Sequence, residues 1–253
     1  MVMSIVYVLK KDNDWWSRNC YDAAKGFTDR GFEVRGFEIE QLKDLLLNKE
    51  TVVYGHIQAV KQALAQIGVE PPKEVSIPDS LKSYTKRNVW FTTLGEVKAL
   101  DFERKPVFIK PSKLQKIFTG FVLNSYRALE KVHGLPDDFE LLASDVVQFK
   151  SEWRFYVLAK EIVGVGHYHG DPTWFPNPTV AQFIIEDWAE QPIAYSIDLG
   201  ALGQDRYSMD TALVEVNDSF ALGNYGIPSV VYAKMIEARW FEMVGMKEQW
   251  LVF

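Results

Sequence analysis

Cysteine is almost missing from this sequence: Cys20 is the only one among 253 residues. A single thiol excludes an internal disulfide framework and fits a reducing compartment, so the expected location is the cytoplasm. No apolar run approaches the length that crosses a bilayer, and no membrane partner is expected. Met1–Lys10 is too short and too strand-like for a signal peptide. Low-complexity tracts and clear internal repeats are absent. So is an excess of positive charge. The formal net charge of −6 argues against a chain held on nucleic acid mainly through phosphates. The loop after the first apolar segment reads KKDNDWWS, without the glycines of a dinucleotide fingerprint. No Gly-x-x-x-x-Gly-Lys phosphate loop occurs either.

The composition present, 47% hydrophobic and 25% charged, is that of an ordinary globular protein long enough for two or three small subdomains. In the first third, strands are expected at Ser4–Leu9, Phe32–Ile39 and Thr51–Tyr54. Helices are expected at Ser17–Arg30, Gln41–Leu47 and Ile57–Ile67, with Gly31 and Gly68 as stops. This alternation predicts a small parallel α/β layer over residues 1–78. Trp15–Trp16 either lines a pocket or packs one ring inward beside a helix start. The Pro-rich stretch Glu70–Pro78 reads as a linker.

After the linker, Leu81–Arg87 reads as a helix leading into a strand at Val89–Thr92, and Gly95–Leu100 as the beginning of a connection. PVFIKP is a short strand on which Lys110 shares a face with Phe108. The stretch SKLQKIFTG behind it supplies Lys113, Lys116, Thr119 and Gly120. Ammonium groups, a hydroxyl and free backbone N–H groups on such a loop either fold over a phosphate chain or form a basic surface hairpin. Phe121–Lys131 has helical spacing. Glu140–Phe149 and Glu152–Leu158 read as strands. Glu152 and Arg154 share a face of the second, as a structural ion pair or as readers of a ribose hydroxyl and a phosphate. His167 and His169, on one face of the strand Glu161–Tyr168, lack a third soft ligand for a metal. Gly170–Thr179, with its prolines, is a rigid loop of the kind that carries specificity.

The stretch TALVEVNDSFALGNYG, Thr211–Gly226, organises the rest. Strict alternation puts Ala212, Val214 and Val216 on one face and Leu213, Glu215 and Asn217 on the other. Glu215 and Asn217 are hard oxygen donors suited to Mg²⁺ rather than zinc, or else the polar side of an edge strand. Asp198, on the strand Ile193–Leu199, is expected on an antiparallel neighbour where it converges with Glu215. Thr179–Ala189 and Ser229–Phe241 read as helices.

The order of these blocks, PVFIKP, KIFTG, SEWR and LVEVNDSFALGNYG, resembles the ATP-grasp superfamily from about Leu81 to Gly226. More narrowly it resembles a small clade of bacterial and phage ATP-grasp proteins. The resemblance implies an α/β (α+β) fold in which two α+β subdomains clasp ATP, a small lid at 79–145 and a metal-binding subdomain at 146–253. Residues 1–78 are then a pre-ATP-grasp α/β domain. It implies a ligase that joins a carboxylate to an amine through an acyl phosphate, forming ADP and phosphate, with ATP and Mg²⁺ as cofactors and small-molecule or peptide substrates. Carried over by position, Lys110 binds the α- and β-phosphates and the Lys113–Gly120 loop closes over them, with Lys116 nearest. The hinge is Asp145–Gln148, whose Val146 and Gln148 backbones meet adenine. Glu152 holds the ribose, Arg154 faces the reacting phosphates, and Asp198, Glu215 and Asn217 ligate Mg²⁺. Arg87 is the choice for the family's earlier phosphate-binding lysine, with Lys86 and Lys82 as alternatives. The phosphate loop departs from the family pattern in having Gly120 as its only glycine. The rival reading is a non-catalytic nucleotide-binding module; the intact set of polar residues argues against it. A nucleic-acid-end ligase is disfavoured because no Lys-x-Asp-Gly motif is present.

Overall fold

The computed structural model describes residues 5–73, 76–112, 117–205 and 208–246. The N-terminal layer is built on β1 (Ile5–Lys11), whose Val6 and Val8 are fully buried. Asp12 and Asn13, both at positive φ, turn the chain into β2 (Asp14–Trp15), antiparallel to the end of β1. Asp and Asn tolerate that conformation, which explains a hairpin inside the KKDNDWWS loop. Helix α1 (Arg18–Asp29) starts at Ser17, whose hydroxyl accepts from the Cys20 amide, and stops at Gly31, φ +84°. β3 (Glu33–Phe37) and β4 (Val52–Tyr54) pair with β1 in parallel, and α2 (Ile57–Gln66) comes directly after β4. The parallel α/β layer expected from the alternation is present; the segment read as a helix at Gln41–Leu47 is a 3-10 helix at Ile39–Asp44.

The second sheet contains β5 (Val89–Thr93), β6 (Val107–Pro111), β7 (Phe121–Leu123) and β8 (Glu140–Asp145), ordered β5-β8-β6-β7 and antiparallel throughout. Between β5 and β6 lies a short helix, α3 (Leu94–Lys98), opened by a capping box of Thr93 and Glu96 where a connection was expected. Two further expectations fail here. Leu81–Arg87 is not an α-helix but the end of a 3-10 helix, Asp79–Thr85, stopped by Lys86 at φ 53°. Phe121–Lys131 is not one helix: Phe121 and Leu123 alternate into the core as a strand, and a 3-10 helix spans Tyr126–Val132. Pairing with β6 outweighs the helical spacing, a tertiary override of a local signal.

The third sheet is an antiparallel array of β9 (Ser151–Leu158), β10 (Glu161–Gly170), β11 (Ala194–Leu202) and β12 (Asp210–Asp218), ordered β10-β9-β11-β12. Helix α4 (Pro178–Asp187) joins β10 to β11 and packs Ala181, Ile184 and Ile185 under one face. The closing helix α5 (Ser229–Met243) returns to the N-terminal layer and lies against α1. A Cβ at Gly26 would collide with the Ser229 carbonyl oxygen, so this close helix contact requires glycine. One core therefore joins Val6, Phe27 and Leu64 of the layer to Tyr156, Leu158, Tyr232 and Trp240.

Candidate active site

The site is built on the face of the third sheet opposite α4. Arg154 on β9, Asp198 on β11 and Glu215 on β12 are successive cross-strand partners, so backbone register alone gathers them in a row. Asn217 lies two residues beyond Glu215, opposite Ser196. The strand that carries them is not a regular alternation. The register steps from Asp198↔Glu215 to Leu199↔Leu213, which leaves Val214 as a β-bulge. Leu213 and Val216 thereby both enter the core below the sheet. The expectation that Leu213 shares a face with Glu215 and Asn217 is corrected by this bulge.

Asp198 is 1% exposed and Arg154 6% exposed, and the two form a bidentate pair: Arg154 Nε donates to Oδ1 at 2.8 Å and Nη2 to Oδ2 at 2.7 Å. Asn217 Nδ2 donates to Asp198 Oδ2 at 3.2 Å. Burial raises the Asp198 carboxyl against the pull of Arg154. Burial would lower the Arg154 guanidinium, but Asp198 outweighs it and holds the arginine charged. Glu152 does not pair with Arg154 despite sharing its face. Its Oε2 accepts from the Tyr168 hydroxyl at 2.9 Å and its Oε1 lies 3.3 Å from His169 Nδ1.

Lys110 reaches this row from the second sheet. Its Nζ donates to Glu215 Oε2 at 2.6 Å and to Ser76 Oγ at 2.7 Å. Burial alone would raise the Glu215 carboxyl; Lys110, with help from Arg154 and Asn217, outweighs it and lowers the pKa. Phe108, Lys110, Ser144, Glu152, Tyr168 and Glu215 line a cleft of about 210 Å³ between the two sheets. A second recess of about 620 Å³ opens beside it and shares Ile77, Val89 and Leu142 with it. The combined space is apolar at Phe108, Val89 and Leu142 and charged at Lys110, Glu152 and Glu215, a combination suited to a flat base carrying an anionic tail.

Not every other expected residue reaches this cleft. Lys116, with Lys113, lies outside the described residues. Thr119 is exposed, and Gly120 packs so closely on Phe108 and Lys110 that a Cβ would press on the Phe108 ring. Asp145 ends β8 and accepts from the Asn88 side chain at 2.6 Å. Val146 and Gln148 are exposed on the connection from β8 to β9, which links the two sheets. Ser144 lines the cleft. Arg87 borders the cleft, but its guanidinium donates to the carbonyls of Thr85, Leu213 and Val214. Lys82 and Lys86 pair with Asp79 and Asp210. The histidines do not share a face. A bulge between them leaves His167 on Trp153, with ring centroids 4.8 Å apart, and turns His169 to Glu152. Trp15 packs on the first core, and half-exposed Trp16 meets His56 edge-on.

Sequence reasoning missed Ser76 and Tyr168. Ser76 sits in the linker, where no periodicity marks it. Tyr168 is hidden by the bulge, which reverses the expected facing of its strand end. Tyr168 also stacks on Tyr225 at 5.1 Å, and the Arg154 guanidinium lies 4.8 Å from the Tyr225 ring centre.

The donors at Asp198, Glu215 and Asn217 are oxygens on adjacent strands, which suits a hard divalent cation. Among the described residues, no group of three or more His, Cys, Asp and Glu side chains could hold a metal ion; the candidate set is two carboxylates and a carboxamide.

A family model that describes an ATP-grasp domain, family 2 of its clade, matches residues 84–235. The chain belongs to this ATP-grasp family. No curated protein sequence matches it. Among solved structures, the chain is similar to a RimK domain ATP-grasp protein from Sphaerobacter thermophilus, with 14% identity over 96% of this chain and 98% of that one, TM-score 0.53. It is similar to the ATP-grasp ligase PsnB complexed with minimal precursor, Mg and ADP, with 11% identity over 95% and 97% and TM-score 0.51. D-alanine–D-alanine ligase from Bacillus anthracis is similar at 12% identity over 98% and 97%, TM-score 0.51. At these identities the likeness carries the ATP-grasp fold.

Proposed function

We propose that the protein is an ATP- and Mg²⁺-dependent ligase that joins a carboxylate to an amine through an acyl phosphate, releasing ADP and phosphate. The observation that carries this reading is the Lys110–Glu215 contact of 2.6 Å across the cleft, beside the buried Arg154–Asp198–Asn217 cluster. A cation from one sheet and acids from the other converge where a triphosphate can lie between them. In this reading residues 1–78 are a pre-ATP-grasp domain, 79–145 the lid and 146–253 the metal-binding subdomain.

The adenine lies against Phe108, Val89 and Leu142 near the Asp145–Gln148 hinge, and Glu152, oriented by Tyr168, accepts from the ribose hydroxyls. Lys110 leaves Glu215 to bind the α- and β-phosphates. The loop through Lys116, Thr119 and Gly120 covers the triphosphate. Asp198, Glu215 and Asn217 hold Mg²⁺, which when bound offsets the charge of the phosphates. The substrate carboxylate attacks the γ-phosphorus, the bond to the β,γ-bridging oxygen breaks, and ADP leaves with both electrons of that bond. The amine then attacks the acyl carbon and phosphate departs. Arg154, kept charged and immobile by Asp198, stabilises the transferred phosphoryl group and the tetrahedral oxyanion. Positioning and charge neutralisation carry such a reaction without a protein nucleophile.

The test is ADP release on adding paired amino acids and short peptides with Mg·ATP. The expected result is turnover by the natural chain and none by a folded Glu215→Ala variant. Full activity in that variant would overturn the metal assignment. ATP bound without ADP release across a broad amine and carboxylate set would favour a non-catalytic module.

A further inference from the structure

β12 is the edge strand of its sheet and carries Glu215, so its outer backbone groups face away from any neighbouring strand. Residues 76–87 occupy that edge. The Val216 amide donates to the Ser76 carbonyl at 2.8 Å. Arg87 Nη1 donates to the Leu213 carbonyl at 2.9 Å and Nη2 to the Val214 carbonyl at 3.1 Å. In a regular strand, successive carbonyls point to opposite edges. Here two in succession accept from one guanidinium, because the bulge at Val214 turns both the same way. A planar fork matches that pair, as a single ammonium does not. The guanidinium is itself aimed by the turn before it. Lys86 adopts φ 53°, and the Thr85 hydroxyl donates to the Lys82 and Arg87 carbonyls at 2.8 and 2.7 Å. Below, Arg87 lies 5.6 Å from the Phe149 ring centre, and Phe149 fits because Gly200 has no side chain to meet it.

We infer that Arg87 is a positioning residue for Glu215, holding the bulge that aims this carboxylate into the cleft, rather than a ligand of the nucleotide phosphates. Its Nη1 and Nη2 groups are spent on carbonyls, and Glu215 stands between the Arg87 clamp on residues 213–214 and the Ser76 clamp on residue 216. The inference rests on the proposed reading for what Glu215 holds, but not for how Glu215 is held.

The experiment uses the full chain as Arg87→Lys, which keeps the charge and loses the fork, and Arg87→Met, which loses both. ADP binding is measured at equilibrium with Mg²⁺ and with EDTA, and amide hydrogen exchange of peptides covering 211–217 is monitored in the ligand-free protein. The expected result is faster exchange over 211–217 in both variants. ADP affinity in EDTA should stay within about threefold of the natural chain, while its enhancement by Mg²⁺ should fall by about tenfold, the scale of a lost charged hydrogen bond. Unchanged exchange in both variants overturns the inference. So does a pattern in which Arg87→Met loses binding in EDTA while Arg87→Lys keeps it, since that marks a phosphate ligand. If the natural chain binds no ADP, the ligase reading falls, and exchange alone still decides whether Arg87 holds the bulge.

Discussion

Asp198→Asn tests the electrostatic centre of the site. The substitution keeps size and shape but removes the charge opposite Arg154, which is 6% exposed and bonded to Asp198 at 2.8 and 2.7 Å. An asparagine offers one acceptor oxygen and turns an NH₂ group toward a guanidinium that has only donors. Apart from Asp198, Arg154 has the Gly223 carbonyl at 3.3 Å. Removing one partner of a buried pair costs about 3–5 kcal/mol. In a chain of this size each kcal/mol moves Tm by about 2–4 °C, so a fall of about 10 °C is expected. Arg154→Met leaves the acid behind, and because burial already favours the protonated Asp198, its cost should shrink as the pH is lowered. The double variant should lose clearly less than the sum of the singles. Urea unfolding monitored by tryptophan fluorescence reads all of them. Asp198→Asn within about 1 kcal/mol of the natural chain, or singles that add within about 0.5 kcal/mol, would refute a desolvated, coupled pair.

Two further predictions concern pH. Glu215 has a lowered pKa, so its stabilising effect is complete above the ordinary value of 4.5 and is lost as the pH falls through the lower folded value. Lys110→Met should flatten that acid limb of the stability curve, and an unchanged limb would contradict the bridge. His56 caps α2 by accepting from the Ala59 amide at 3.1 Å, and burial lowers its pKa from 6.5. Stability from this cap is therefore present above pH 6.5 and falls below it. His56→Ser, which caps without titrating, should remove about 1 kcal/mol of pH dependence in thermal melts, and a pH profile identical to that of the natural chain would count against the cap.

Where local pattern and tertiary structure agree, the fold was legible. The βα alternation of the first layer, the Lys110 strand and the antiparallel meeting of Asp198 with Glu215 could all be read from period and order. The failures share a cause. A β-bulge inserts one residue and reverses every facing beyond it, and nothing in TALVEV or VGHYH announces the insertion. Leu213 and the histidine pair were misplaced for this reason, and Tyr168 was overlooked. Phe121–Leu123 has helical spacing to the residues after it, yet it pairs with β6 because that buries Phe121 and Leu123. Arg87 and Ser76 escape sequence logic altogether, since what they bind is backbone far along the chain.

The central claim is that a nucleotide lies between the second and third sheets, held from one side by Lys110 and from the other by the Glu215 row. Equilibrium binding of Mg·ADP to the natural chain and to Lys110→Ala tests it most directly. The account predicts saturable binding to the first and at least about tenfold weaker binding to the second, with the variant still folded. Equal affinity in the two proteins, or no binding by the natural chain, would contradict it.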